Sequence, residues 1–427
     1  MKKSNLGNLV IIALLILNVA VWLVFPPVND GRLQFLRQYI GEIIGANNII
    51  LMACSLFLST RPKWAEKYFG GLDKMYQTHR RSGTAAFLLI FVHVLTVPIT
   101  TTGWSLGNYL AVIAFTGIVT IVLITLAPRM PFLGALTGGD YERWKSIKRF
   151  MGIFFIIAFL HSITITSALD AFVAITWTQI FFIIGTVSYL YTEVFGGWFK
   201  HRLPYVVTAV KHPNASSTEV TLRSKAAPMQ RHRAGQFLFV RFTGEKGLNE
   251  SHPFTISSAP SEETLRLTIK ASGDFTRRLF ADLKANTAAL VEGPYGMFDY
   301  KPGGAKQIWL AGGIGLTPFL SFMRDMDGRL AHKVHLFYCV RHPEELVFED
   351  ELAAIARKNP NMKLHIRHTA QDGPLTADEI MRAAGGDVRG HDVYMCGPIG
   401  MMTAFREKFL AAGVSAGHVH FEEFNFR

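Results

Sequence analysis

The chain has 427 residues, 49% of them hydrophobic, with a formal net charge of +12, enough length for two or three domains. Its mean hydropathy of +0.23 is high for a soluble protein, and the excess lies almost entirely before Lys200. The cations flank apolar runs or stand singly, with no long basic block, so they read as topology signals and phosphate contacts rather than a nucleic-acid surface. Three cysteines, Cys54, Cys339 and Cys396, offer no disulfide framework and no CxxC pair, which fits a reducing compartment and excludes cysteine-ligated iron–sulfur chemistry.

Six apolar stretches open the chain, near Asn8–Phe25, Ile40–Leu58, Gly83–Ile99, Asn108–Ala127, Phe150–Ala168 and Ala171–Tyr191. Each is close to the ~20 residues that cross hydrocarbon as a helix. The first lacks a small-residue cleavage pattern and ends at Pro26 and Pro27, so it is expected to be a retained helix and not a signal peptide. Loop charge orients the set. Arg61, Lys63, Lys67, Lys74, Arg80 and Arg81 lie between runs two and three, and Arg129, Arg143, Lys145, Lys148 and Arg149 between runs four and five. The loops after runs three and five carry no Lys or Arg, and the first has only Arg32 and Arg37. The positive-inside rule then puts both termini and the soluble half in the cytoplasm, with the chain integral to the cell (inner) membrane.

Histidines inside such runs are costly and default to function. His79 and His93 are fourteen residues apart and share one helix face, about 21 Å apart at ~1.5 Å per residue. His161, in the fifth run, sits at a depth that matches His93. A single histidine reads first as a polar side chain satisfied by a neighbouring hydroxyl or carbonyl. The pair His93 and His161, above a flavin-type soluble half, suits the two axial positions of a haem iron.

The segment Tyr76-Gln77-Thr78-His79-Arg80-Arg81-Ser82-Gly83, followed by His93, resembles the HRxxG…H segment of the ferric reductase and NADPH oxidase transmembrane domain. That resemblance implies two haems between the third and fifth helices, with His93 and His161 on the outer one and His79 on the inner. The chain departs from the pattern at Lys148, where the family carries the second inner histidine. Lys148 can snorkel at a helix entrance, pair with a haem propionate, or ligate iron as a free amine. The expectation is therefore one or two haem b groups, held by His79, His93 and His161.

From about Tyr205 short alternating runs (Tyr205–Val210, Ser217–Arg223, Gln236–Phe242, Leu265–Lys270) read as an antiparallel barrel. Later runs (Gln307–Ala311, Lys333–Val340, Met362–Thr369, His391–Met395) alternate with helical stretches, as in an α/β unit with a parallel sheet. The expected architecture is a six-helix transmembrane haem bundle over 1–203, an antiparallel β-barrel over 204–302 and an α/β parallel-sheet domain over 303–427.

The soluble order resembles the ferredoxin-reductase-like module, and the motifs follow that family's sequence. His252-Pro253-Phe254-Thr255-Ile256-Ser257-Ser258 matches its flavin segment, where an aromatic ring stacks on isoalloxazine and a hydroxyl meets its reactive edge. The resemblance puts Thr255 near the flavin atom that accepts hydride. Lys270, Gly273 and Thr276 supply a cation, a turn and a capping hydroxyl at a helix start that attracts the FAD pyrophosphate. Glu292-Gly293-Pro294-Tyr295-Gly296 matches the turn that links barrel to nucleotide domain.

Gly312, Gly313, Gly315, Thr317 and Pro318 follow a strand and open a helix, so that backbone can approach nucleotide phosphates. Cys396-Gly397-Pro398 matches the nicotinamide-side loop. Arg341 stands where the family meets the adenosine 2′-phosphate, favouring NADPH over NADH as donor. The resemblance implies a terminal aromatic that covers the flavin, and within Phe421-Glu422-Glu423-Phe424-Asn425-Phe426-Arg427 it is assigned to Phe424 over Phe426. Thr255, Cys396 and Phe424 are the expected catalytic residues. The implied activity moves electrons from NADPH through FAD and haem to an extracytoplasmic acceptor, either oxygen, giving superoxide, or a ferric chelate. The alternative is delivery to a dedicated periplasmic redox protein. A haem sensor with a degenerate reductase tail would carry broken cofactor motifs, and these are intact.

Overall fold

A computed structural model describes residues 5–98, 103–126, 147–165, 168–196, 202–226, 229, 231–326 and 330–422. The chain divides into two compact units, Met1–Lys200 and His201–Arg427.

The first unit is helical: α1 (Leu6–Val24), α2 (Phe35–Ser59), α3 (Lys63–Phe69), α4 (Leu72–Thr96), α5 (Leu106–Leu126), α6 (Met151–Thr164) and α7 (Phe172–Tyr189). Among the described residues four helices are long and apolar enough to cross a membrane: α1, α2, α5 and the stretch Phe172–Val194 that contains α7. The other two expected spans differ for physical reasons. Helix α4 is long enough at 25 residues, but Asp73, Lys74, Gln77, His79, Arg80 and Arg81 make its first half polar. Helix α6 has 14 residues, about 21 Å at ~1.5 Å per residue, short of a hydrocarbon core of ~30 Å.

Helix α4 packs on α2, α5 on α6, and α7 on α2, so the two histidine-bearing helices α4 and α6 are held by separate neighbours. Ile50, Ala53, Phe155, Phe181 and Phe182 form a buried core. Large apolar side chains such as Ile16, Leu23, Leu88, Leu95 and Ile183 point outward, as expected of helices that face lipid rather than water.

The second unit contains two sheets. Strands β1 (Leu203–Asn214), β2 (Ser217–Ser224), β3 (Phe237–Thr243), β4 (His252–Thr255), β5 (Leu265–Lys270) and β6 (Ala288–Tyr295) pair antiparallel in the order β4-β3-β6-β1-β2-β5. An isolated bridge between Ile256 and Leu267 brings the two outer strands together, giving the sheet its barrel-like closure. Val207, Val220, Leu222, Leu238, Val240 and Leu267 are buried in its core, and α8 (Asp274–Asp282) follows β5.

Strands β7 (Lys306–Gly312), β8 (Lys333–Val340), β9 (Met362–His368), β10 (Asp392–Cys396) and β11 (Val419–Glu422) form a parallel sheet in the order β11-β10-β7-β8-β9. Helices α9 (Thr317–Asp325), α10 (Glu349–Lys358), α11 (Ala377–Ala383) and α12 (Ile399–Ala411) connect them. From β7 the chain moves outward to β8 and β9, then returns to the other side of β7 as β10. The carboxyl ends of β7 and β10 therefore flank a topological switch point, the place where open α/β sheets bind ligands.

Candidate functional sites in the two units

In the helical unit the three histidines share one arrangement. Nδ1 of His79 lies 2.8 Å from the carbonyl oxygen of Ser55 and 2.9 Å from its hydroxyl. Nδ1 of His93 lies 2.8 Å from the carbonyl of Gly41, and Nδ1 of His161 lies 2.8 Å from the carbonyl of Gly107. A carbonyl only accepts, so in each case Nδ1 carries the proton and donates it. The lone pair of the neutral ring is then on Nε2, which has no protein partner among the described residues. All three rings are half-buried.

Glycines permit this geometry. A Cβ on Gly45 would lie 2.9 Å from Cε1 and Nδ1 of His93, and one on Gly107 would lie 2.5 Å from the backbone nitrogen of Ile165. A carbonyl that pins one ring nitrogen and frees the other is the usual outer support of a histidine ligand. Two such imidazoles fit a haem iron, whose four remaining donors come from porphyrin. Lys148 opens a 3-10 turn, Lys148–Phe150, ahead of α6. Arg129, Arg143 and Lys145 lie outside the described residues.

In the second unit the expected flavin segment is β4, with Phe254 opposite Leu238 and Thr255 opposite Phe237 in the ladder. His252 stacks on Phe275 at 3.8 Å, and Phe254 lies 6.4 Å from Phe275 at 23°, so the segment carries a group of near-parallel rings. Thr255 is 5% exposed, and Ser257 and Ser258 are fully buried. The Ser257 hydroxyl lies 3.0 Å from that of Thr268, and the Ser258 hydroxyl accepts from the Arg266 amide at 3.1 Å. Both hydroxyls thus hold the barrel together.

At the start of α8 the Thr276 hydroxyl accepts from the amides of Gly273 and Ser272 at 2.9 and 3.0 Å. The helix N-terminus beyond them is the kind of place where backbone N–H groups attract phosphate. Lys270, expected on the same phosphate, places its ammonium 2.7 Å from Glu345. That contact holds the Glu345 carboxyl below its ordinary range.

The glycine turn and the Cys396 loop meet at the switch point. Gly313 has φ +55, a left-handed conformation that favours glycine. A Cβ on Gly315 would lie 2.2 Å from the Cys396 carbonyl oxygen, and one on Gly312 would lie 2.8 Å from Pro398. The Thr317 hydroxyl donates to the Ile314 carbonyl at 3.1 Å, closing the turn, with Pro318 in the first turn of α9. Gly312 and Gly315 thus let the two loops pack backbone against backbone, and Gly313 alone of the three has open space where a Cβ would stand. Cys396 is 1% exposed; burial, with the charge of Glu422, pushes its thiol well up, so it stays protonated. Arg341, just past β8, is exposed and has no side-chain partner among the described residues. Phe424 and Phe426 lie outside the described residues. Sequence reasoning missed Phe275, Glu345, Ser321 and Arg324, whose partners are all distant in the chain.

Comparison with known proteins agrees with this geometry. Residues 206–299 match the model of an FAD-binding domain, and residues 309–407 that of an oxidoreductase NAD-binding domain. A flavohemoprotein of Chromobacterium violaceum is 25% identical over 257 residues, covering 55% of this chain and 63% of the relative. The carnitine monooxygenase reductase subunit of Escherichia coli is 29% identical over 180 residues, covering 41% of this chain and 53% of the relative. These matches span between half and two thirds of the relatives' own length. A flavohemoglobin of Malassezia yamatoensis, solved with FAD and heme, aligns with TM-score 0.52 at 16% identity over 92% of this chain and 98% of that one, a likeness of fold. The second unit is a ferredoxin-reductase-type FAD/NAD module.

Proposed function

We propose that the chain is a membrane-spanning flavocytochrome b-type oxidoreductase. It takes electrons from cytoplasmic NADPH, with NADH as the alternative donor, and moves them through FAD and haem b to an acceptor on the far side of the membrane. The observation that carries the haem reading is the shared anchoring of His79, His93 and His161, each with Nδ1 on a backbone carbonyl and Nε2 without a protein partner among the described residues. In this reading His93 and His161 hold one iron by Nε2, and Gly41 and Gly107 fix their tautomers and ring planes. When bound, flavin exchanges two electrons with nicotinamide and one at a time with haem, which is why both groups are needed.

The residues of the module bind and orient. The glycine turn at Gly313 and the N-terminus of α9 receive the dinucleotide phosphates, and Arg341 reads the 2′-phosphate. The N-terminus of α8 takes the FAD pyrophosphate, Phe254 and His252 border the ring, and Thr255 presents its hydroxyl. Cys396, as a protonated thiol, borders the nicotinamide, and Phe424 covers the flavin.

Oxygen is the better-supported acceptor. Arg32 is held by Asp30 and by Gln38 at 2.7 Å, and Arg37 by the Leu95 carbonyl at 2.9 Å and Gln34 at 3.1 Å. Both outward cations are thus engaged within the protein, which disfavours capture of an anionic ferric chelate. The test uses purified full-length protein with FAD and NADPH. Haem should be reduced without oxygen, and air should reoxidise it with cytochrome c reduction that superoxide dismutase suppresses. A reduced haem stable in air and reoxidised only by an added periplasmic protein would replace oxygen with a protein partner, and a chain purified without haem would sink the reading.

A further inference from the structure

A buried charge cluster ties the sheet that carries the flavin segment to the helix that opens at the glycine turn. Arg324, in the last turn of α9, has a side chain only 4% exposed. Its Nε and Nη2 donate to the two carboxylate oxygens of Glu351 on α10 at 2.7 and 2.8 Å. Nη2 also reaches Glu219 of β2 at 3.3 Å, and Nη1 donates to the Ser257 carbonyl at 2.9 Å. One turn earlier on α9, the Ser321 hydroxyl donates to the Ser258 carbonyl at 2.8 Å. One helix therefore grips two consecutive carbonyls just past Thr255. Arg266 extends the cluster, 3.6 Å from Glu219 and 2.6 Å from Glu262.

A second observation marks this cluster as built. Phe348, at the N-cap of α10, lies with its ring centroid 5.0 Å from the Arg324 guanidinium carbon. Its backbone has φ +58 and ψ +30, a left-handed conformation unfavourable for a bulky side chain. Such strain persists where the surroundings over-determine it, and it concentrates at functional sites. Cohesion alone does not explain the cluster. The barrel and the parallel sheet have separate hydrophobic cores, and buried ion pairs are weaker sources of stability than apolar packing of the same volume. What an ion pair with fixed fork geometry adds is a single relative placement.

We infer that Arg324, seconded by Ser321, is a positioning residue. It fixes the separation between the flavin segment Thr255–Ser258 and the dinucleotide turn Gly312–Thr317. It thereby governs how fast hydride passes between bound cofactors, and not how tightly either binds. The step it serves is transfer of one proton with two electrons from reduced nicotinamide to flavin, leaving oxidised nicotinamide. This inference rests on the second unit acting as the proposed FAD/NAD(P)H module.

The test measures bleaching of flavin absorbance in full-length, FAD-loaded protein mixed rapidly with NADPH, alongside FAD affinity and the KM for NADPH. Arg324→Lys keeps the charge and loses the fork. It should slow flavin reduction at saturating NADPH by roughly ten- to a hundredfold, as small misplacements of reacting groups do, with KM and FAD affinity unchanged. Ser321→Ala, which strands no charge, should slow the same step by less, and it decides the matter if Arg324→Lys fails to fold. Unchanged flavin reduction in a folded variant, or a raised KM with unchanged rate, would overturn the positioning role. A wild-type protein whose flavin takes no electrons from NADPH or NADH would instead overturn the reading of the module.

Discussion

A Cβ placed on Gly45 would lie 2.9 Å from the His93 ring, whose Nδ1 is held one turn away by the Gly41 carbonyl. The glycine is thus part of the histidine's seat. Gly45→Ala should tilt the ring and broaden or shift the low-spin haem spectrum, and Gly45→Leu should abolish it while helix content is retained. Difference spectra of reduced and oxidised membranes check this. An unchanged spectrum in Gly45→Leu would remove His93 from the ligand set.

Arg341 is exposed and has no side-chain partner among the described residues, and its carbonyl is fixed by the Ala370 amide at 3.0 Å. A charge-assisted contact to a 2′-phosphate is worth about 1.5–3 kcal/mol. Arg341→Ala should therefore raise the KM for NADPH roughly ten- to a hundredfold and leave that for NADH in place. Equal changes for both donors would take Arg341 out of nucleotide discrimination.

Much of this was legible in the sequence because it is local. The order of flavin segment, helix cap, glycine turn and Cys396 loop depends on neighbours within a few residues; the flavin segment lies on a strand, and the other three lie between a strand and a helix as their patterns required. The length of α6 was not legible, since Phe150 before Met151 and Ile165 after Thr164 extend the apolar run whether or not they are helical. Neither was α3, a helix of seven residues in what read as a charged loop. The histidine seats escaped because backbone carbonyls are their acceptors, and any residue type has one. A histidine satisfied by a carbonyl at one nitrogen can still offer the other, so the two readings of these histidines do not exclude each other. Arg324 escaped because its partners Ser257 and Glu219 are 67 and 105 residues away.

Lys270 and Glu345 make a partly exposed ion pair, each side chain about a third exposed, so its contribution is at most about 1 kcal/mol. The Lys270 contact lowers the Glu345 carboxyl, so the pair stabilises the fold above the ordinary glutamate value of 4.5 and is lost as pH falls through the lowered one. The difference in melting temperature between wild type and Glu345→Gln should be small at neutral pH and vanish in acid. A difference that grows on acidification would contradict the assignment.

His335 carries a linkage of the same sign from a different cause. Burial, helped by the charges of His365, Lys363 and His391, lowers it from 6.5 to about 4. Its Nδ1 lies 3.2 Å from Nε2 of His365 in a near-coplanar pair. Between pH 6.5 and about 4 the unfolded chain binds a proton that the folded chain refuses, so stability falls as pH falls through that window. His335→Asn should flatten the acid slope of stability in the NAD-binding region, followed by amide exchange across β8 and β9. An unaltered slope would place the sensitivity elsewhere.

Under the proposed function, the number of haems turns on Lys148. His79 and His93 are fourteen residues apart on one helix, and Lys148 precedes His161 by thirteen, so each pair spans about 20 Å at ~1.5 Å per residue. The outer pair, His93 and His161, has two carbonyl-anchored imidazoles, whereas the inner pair has the anchored His79 and an amine. His93→Ala or His161→Ala should abolish the bis-imidazole spectrum. At least one haem per chain is expected, and a second, inner one would be removed by His79→Ala. Lys148→Ala separates the remaining roles: an amine ligand would take the inner spectrum with it, a propionate partner would shift only the inner potential, and a snorkelling side chain would change neither. A wild-type chain with one haem, untouched by His79→Ala, would show that the inner seat survives without its occupant and that electrons reach the outer iron directly from flavin.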